Sequence, residues 1–155
     1  MSKIVITFFL ITLTYSQYNY SLPDINPNSN TYNETITPGN YQGQITLHYF
    51  GKQTWSICTA RVGDLDEIYQ ELLAEGINNV KIITIGKSSW ASGNANWTNS
   101  NSIPVLIDPS PYNAWSNWAA QTDDLFFIDS NGNYETHYNI VASEVVAGIK
   151  NTIYD

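Results

Sequence analysis

Trp55-Ser-Ile-Cys58 is the segment whose residue types and spacing come nearest to chemistry. It follows a β-type run, Gln44-Ile-Thr-Leu-His-Tyr-Phe50, and precedes a patterned helix beginning near Thr59. A cysteine at a helix start is placed for thiol–disulfide exchange, because the helix dipole and the free N–H groups of the first turn favour a thiolate. That exchange normally uses two chalcogen side chains at this spacing. The outer one attacks, and the residue three positions on, about one turn deeper, resolves the adduct. Here the inner position is Cys58, the only cysteine of the chain, and the outer position is Trp55. Tryptophan offers no nucleophilic lone pair, so the segment as written cannot run an intramolecular two-step cycle.

The other chemistry-bearing residues are sparse. His48 lies in the first strand and reads as a packed or edge residue, and His137 as a residue on the exposed face of a hairpin. Two histidines and one cysteine, widely spaced, make no zinc pattern, so no metal is expected. Trp90, Trp97, Trp115 and Trp118 could line an aromatic groove, but packing is the simpler role. No phosphate-binding glycine loop and no hydrolase nucleophile motif is present.

The elements that must position Cys58 form an α/β pattern. A first strand spans about 44–50. A helix runs from about Cys58 to Glu75, with Val62, Leu65, Ile68, Tyr69, Leu72 and Leu73 at helical spacing and Gly76 at its end. The acidic residues between them read as a solvated face. Val80-Lys-Ile-Ile-Thr-Ile85 is the next strand, apolar enough for a central parallel position. Ser88 to Asn101 can hold an irregular helix, and Ile103-Pro-Val-Leu-Ile107 is a short strand opened by proline. Tyr112 to Thr122 reads as a short helix or packed loop. Leu125–Asp129 and Asn133–Tyr138 form a hairpin around an Asn-Gly turn, and Ala142 to Ile153 closes with a helix. This order of strands and helices predicts an α/β thioredoxin-like fold, a central mixed sheet flanked by helices. The Ile103–Pro104 bond is a candidate cis peptide beside the turn, exposing backbone that can pair with an extended substrate. A trans proline that merely starts an edge strand is the alternative.

Length and composition bound the rest. One domain of 155 residues can bury a core. A formal net charge of −8 would repel nucleic acid and anionic membrane, so neither is expected as a partner. Lys3, the apolar run Ile4 to Leu13 and the small residues before Gln17 predict a secretory signal peptide over 1–16, with no membrane attachment after cleavage. The run is too short to span a bilayer. Residues 17–43, punctuated by Pro23, Pro27, Pro38 and Gly39, predict an extended lead-in with little regular structure, ahead of the domain at 44–155. Asn19, Asn33 and Asn96 each open an N-glycosylation pattern. In a secreted chain a single thiol points to an intermolecular partner, a reactive site or a buried inert residue.

Trp55-Ser-Ile-Cys-Thr-Ala-Arg-Val-Gly-Asp-Leu-Asp-Glu-Ile68, continuing through Glu75-Gly-Ile-Asn-Asn-Val80, resembles the amino-terminal thioredoxin-like domain of selenoprotein P. Ile103-Pro-Val105, Trp115 and Asp123-Asp-Leu-Phe-Phe-Ile-Asp129 fit the same pattern, and the likeness covers roughly Gln44 to Ile149. Carried over position by position, Cys58 matches the active-site cysteine, Trp55 the selenocysteine and Pro104 the cis-proline. The resemblance implies an extracellular selenium-containing oxidoreductase that reduces peroxides or disulfides with a thiol donor. Selenium transport in that family belongs to a selenocysteine-rich tail without a counterpart before Asp155, and His48 and His137 stand alone where the family has histidine-rich stretches. Neither transport nor heparin binding is therefore expected.

The UGA codon of selenocysteine is read as tryptophan in some genetic codes, which makes Trp55 at this position a candidate selenocysteine. Three functions then follow. The first is a secreted thiol or selenol oxidoreductase with residue 55 as nucleophile, Cys58 as resolver and Ile103–Pro104 as substrate platform. The second is a redox-inactive extracellular binding or scaffold protein with Trp55 as a hydrophobic contact. The third is a single-thiol protein that forms a mixed disulfide through Cys58.

Overall fold

The computed structural model describes residues 17–154. The signal peptide expected over 1–16 lies outside the described residues. The chain forms β1 (Leu22–Pro23), β2 (Thr35–Ile36), β3 (Ile45–Phe50), α1 (Ser56–Ala74), β4 (Val80–Lys87), α2 (Asn94–Thr98), β5 (Val105–Asp108), α3 (Asn113–Asn117), β6 (Asp124–Ile128), β7 (Tyr134–Asn139), α4 (Ser143–Val146) and α5 (Ile149–Tyr154). The main sheet has the order β5-β4-β3-β6-β7. β3, β4 and β5 are parallel, whereas β6 runs antiparallel to β3 and β7 antiparallel to β6.

Alternation along β3 sends side chains to two covered faces. Leu47 and Tyr49 join Cys58, Val62, Leu65, Leu72 and Trp97 on the α1 side. Phe50 joins Ile83, Ile85, Trp115, Trp118 and Phe126 on the other. Along α1, Cys58, Val62, Leu65, Ile68 and Leu72 are buried, and the acidic residues between them form its outer face. Gly76 follows the helix at φ +83°, where its N–H and that of Ile77 close on the Leu73 and Leu72 carbonyls. The closing segment departs from a single helix over 142–153: it breaks at Gly148 into α4 and α5.

The lead-in is more integral than its composition suggests. β1 and β2 pair, and Tyr20, Leu22, Ile36 and Tyr41 are buried in the second core. Asp24 is buried because its carboxylate accepts from the N–H groups of Asn26 (2.9 Å) and Val105 (3.0 Å). That contact, with Ile25 N–H on the Val105 carbonyl, covers the outer edge of β5.

His48 is packed and 0% exposed, its ring against Trp118 and its nitrogens 3.0 Å from the Tyr20 hydroxyl and 2.8 Å from Thr46 Oγ1. Burial pushes its pKa down from 6.5 to about 3. The unfolded chain therefore takes up a proton first as pH falls. Stability should drop by about 1.4 kcal/mol per pH unit between roughly pH 6 and pH 3 from this group. Urea titrations at descending pH will show a shallower loss in His48→Gln. Equal slopes in the two proteins would contradict the assignment.

Candidate active site

The turn that ends in Trp55 is set by the strands on either side of it. β3 ends at Phe50, and the Trp55 N–H closes the turn on the Lys52 carbonyl at 3.0 Å. Gln53, fully buried, anchors the turn. Its Nε2 donates to the Lys87 carbonyl and to Asn94 Oδ1, both at 3.2 Å, and its own carbonyl accepts from Asn96 Nδ2 at 2.9 Å. Gly86 and Gly93 leave room for this. A Cβ on Gly86 would meet the Gln53 side chain at 2.2 Å, and one on Gly93 would meet the Gln53 backbone at 2.4 Å.

Trp55 is the N-cap residue of the 19-residue α1 and is 48% exposed. Its carbonyl accepts from the Thr59 N–H and hydroxyl, while no acidic side chain occupies the first turn. Cys58 lies inward on the same helix and is 0% exposed. The outer position of the motif is thus open to solvent and the inner one is sealed.

Beneath Cys58 lies a polar pair that sequence reading did not single out as functional. Tyr49, from β3, donates its hydroxyl to Asp123 Oδ1 at 2.5 Å. Asp123 sits at the entrance to β6 at φ +71°, held by its N–H on the Phe50 carbonyl and by the Ile140 N–H on its own. Both side chains are within hydrogen-bonding reach of the Cys58 thiol. Burial pushes the thiol's pKa up. The Lys52 backbone pulls it back, and the neighbouring Asp123 adds to the rise. Burial likewise holds the Tyr49 hydroxyl well above its ordinary value. The local signal was the Asp123-Asp124 doublet opening an otherwise apolar strand, a costly place for a carboxyl without a partner.

Ile103 and Pro104 do not form the platform expected of them. Ser110–Pro111 is the cis peptide among the described residues, and Ile103–Pro104 is trans. β5 is parallel to β4 and pairs Val105 with Thr84 and Asp108 with Lys87. Its proline end therefore lies toward the middle of β4, away from the strand ends that carry Trp55. The backbone there is also engaged: the Pro104 carbonyl accepts from Thr84, and the Ile103 carbonyl from Asn26 Nδ2. The segment that meets the Trp55–Cys58 turn is the entrance to β6.

Trp97, Trp115 and Trp118 are core residues, whereas Trp90 is half-buried beside Trp115. His137 is on the exposed β7. Asn19, Asn33 and Asn96 are all exposed, and Asn96 also spends an N–H on Gln53. Among the described residues no group of three or more His, Cys, Asp and Glu side chains could hold a metal ion. No helix there is long and apolar enough to cross a membrane.

No family model and no curated protein matches the chain. Solved structures do. A Chlorobium tepidum protein described as a thiol:disulfide interchange protein DsbE superposes with a TM-score of 0.72 at 12% identity, over 88% of this chain and 91% of its own. The fold is thioredoxin-like. The exposed lipoprotein thioredoxin Etrx1 of Streptococcus pneumoniae strain TIGR4 gives 0.68 at 22% identity, over 88% of this chain and 98% of its own. Copper-bound yeast Sco1 gives 0.67 at 14% identity, over 88% of this chain and 87% of its own. In this thioredoxin-like chain, Trp55 ends the turn between β3 and α1, and Cys58 lies in the first turn of α1.

Proposed function

We propose that this chain is a secreted thiol- or selenol-dependent oxidoreductase of the selenoprotein P amino-terminal type, reducing disulfides or peroxides at the expense of a thiol donor. Residue 55 is the attacking position and Cys58 the resolving thiol. One observation carries the reading: an exposed residue caps α1 while the chain's single thiol lies buried one turn in, against Tyr49 and Asp123. Solved thioredoxin-like neighbours named for thiol:disulfide interchange support the reaction class. Because tryptophan cannot attack, the reading takes residue 55 to be selenocysteine encoded by UGA. Secretion rests on the apolar run before Gln17, and glycans on Asn19, Asn33 and Asn96 would follow from it.

The test is the codon for residue 55 together with the intact mass of the protein from its own source. A UGA codon and a selenium isotope pattern are expected. A UGG codon and a tryptophan mass would overturn the selenium reading. They would leave a redox-inactive binding protein, which the 48% exposure of an indole at this position favours. Mixed-disulfide formation through Cys58 alone is disfavoured by a thiol with no exposed surface. Iodoacetamide should leave Cys58 unlabelled until the protein is denatured.

A further inference from the structure

Five of the six basic residues lie in the described part of this acidic chain. Arg61 contacts Asp64, and Lys150 contacts Glu71 and Glu75. Lys81 donates to the Tyr69 hydroxyl. Lys52 and Lys87 form no ion pair among the described residues, and both stand at the carboxyl ends of the parallel strands, beside residue 55. The Lys52 ammonium lies 4.5 Å from the Trp55 ring centre and 5.5 Å from that of Trp90. The Lys87 ammonium lies 5.1 Å from Trp90, 5.1 Å from Tyr112 and 4.3 Å from Trp115. Trp90 is thus shared between the two cations.

Aromatic faces hold an ammonium in place without neutralising it. Asp108 is buried, accepts from the Trp115 N–H at 3.1 Å and interacts with Lys87 through space without a direct ion pair. No acidic side chain lies in the first turn of α1. Two positive charges therefore gather round Trp90, one of them, Lys52, at residue 55 itself, on a molecule whose overall charge is −8.

We propose that Lys52 and Lys87, gathered round Trp90 with Tyr112 and Trp115, form a subsite that selects substrates carrying a carboxylate close to the reacting sulfur. The inference names the substrate class of the oxidoreductase reading and rests on it for the reaction. The anion preference itself can be measured without any turnover.

The first measurement uses the full-length recombinant chain with tryptophan at position 55. Its exposed tryptophan is Trp55 and its half-buried one is Trp90, so collisional quenchers report mainly on this site. At a fixed ionic strength of about 0.1 M, the iodide-to-caesium ratio of quenching constants should be roughly threefold higher than that of free N-acetyltryptophanamide, against the sign of the net charge. The preference should fall to parity or reverse in Lys52→Gln/Lys87→Gln. It should persist in Lys81→Gln, which removes one positive charge elsewhere. A ratio equal to that of N-acetyltryptophanamide in the parent chain, or an unchanged preference in the double variant, overturns the proposal.

The second measurement uses Trp55→Cys with three small disulfides: dithiodipropionate (anionic), bis(2-hydroxyethyl) disulfide (neutral) and cystamine (cationic). Scaled to each probe's rate with a free thiol, reaction with the anionic probe should exceed that with the cationic one by about threefold or more, and the ratio should collapse in the lysine double variant. Reaction with all three at rates set only by the probes' own reactivity refutes the subsite while leaving the oxidoreductase reading standing. No reaction with any probe refutes the oxidoreductase reading, and the quenching result then decides the anion site by itself.

Discussion

Trp55→Cys should take disulfide reductase activity from background to at least about a hundredfold above it, with dithiothreitol as donor. The physical argument has three steps. A cysteine at position 55 inherits the N-cap of a 19-residue helix and its unpaired first-turn N–H groups, which favour the thiolate. That thiolate attacks one sulfur of the substrate disulfide, forming a mixed disulfide and expelling the other sulfur as a thiolate that takes up a proton. The Cys58 thiol, giving its proton toward Asp123, then attacks the sulfur of residue 55 and expels the second substrate thiolate. A disulfide between 55 and 58 remains, and the external dithiol reduces it. Because Cys58 is held in place, this second step runs at an effective molarity on the order of 10⁵ M or more, beyond any external thiol.

Asp123→Asn in the same background separates the two steps. The amide keeps the shape and can still meet the Tyr49 hydroxyl, but it no longer accepts a proton. Resolution should slow by about a hundredfold, the lower end for loss of a positioned general base. The mixed disulfide at residue 55 should then accumulate and be visible by intact mass, while the first attack keeps its rate. If Asp123→Asn slows both steps equally, Asp123 holds the fold and not the proton.

Gly93→Ala should destabilise the protein by about 3 kcal/mol, the upper part of the usual range for forcing an extra carbon into a packed site. Its Cβ would sit 2.4 Å from the backbone carbon and oxygen of Gln53 and 2.7 Å from the Thr54 nitrogen. Backbone cannot swing away as a side chain can, so the Lys52–Trp55 turn must move and surrender the Asn96 hydrogen bond. For a chain of this size the melting temperature should fall by roughly 6–12 °C. Gly86→Ala meets only the Gln53 side chain and should cost less, although that side chain is buried and must abandon the Lys87 carbonyl. Thermal melts of both variants would rank them, and equal losses would refute the backbone argument.

Much of the scaffold could be read from local pattern. The apolar spacing from Val62 to Leu73 specifies α1, because only one helical stripe can face the sheet, and Gly76 ends it at a positive φ that other residues rarely adopt. The Val80–Ile85 run and the Asn131-Gly132 turn specify β4 and the β6–β7 hairpin for similarly local reasons. The lead-in misled because its residues are individually polar and irregular, while its burial depends on contacts with the distant Val105 and Ile103.

The sequence by itself determined that one thiol stands at a helix start with a tryptophan three positions before it. Only the tertiary structure decided what surrounds that pair. The sequence pattern places Pro104 beside the turn, but strand polarity moves it away, because in a parallel β5 the proline opens the wrong end. Asp123 and Tyr49 come together across 74 residues through the antiparallel pairing of β3 with β6. Lys52 and Lys87 meet over Trp90 because parallel strands end on the same side of the sheet. Helices and turns are written in neighbouring residues, whereas a site is assembled by strand direction and register, which no local window contains.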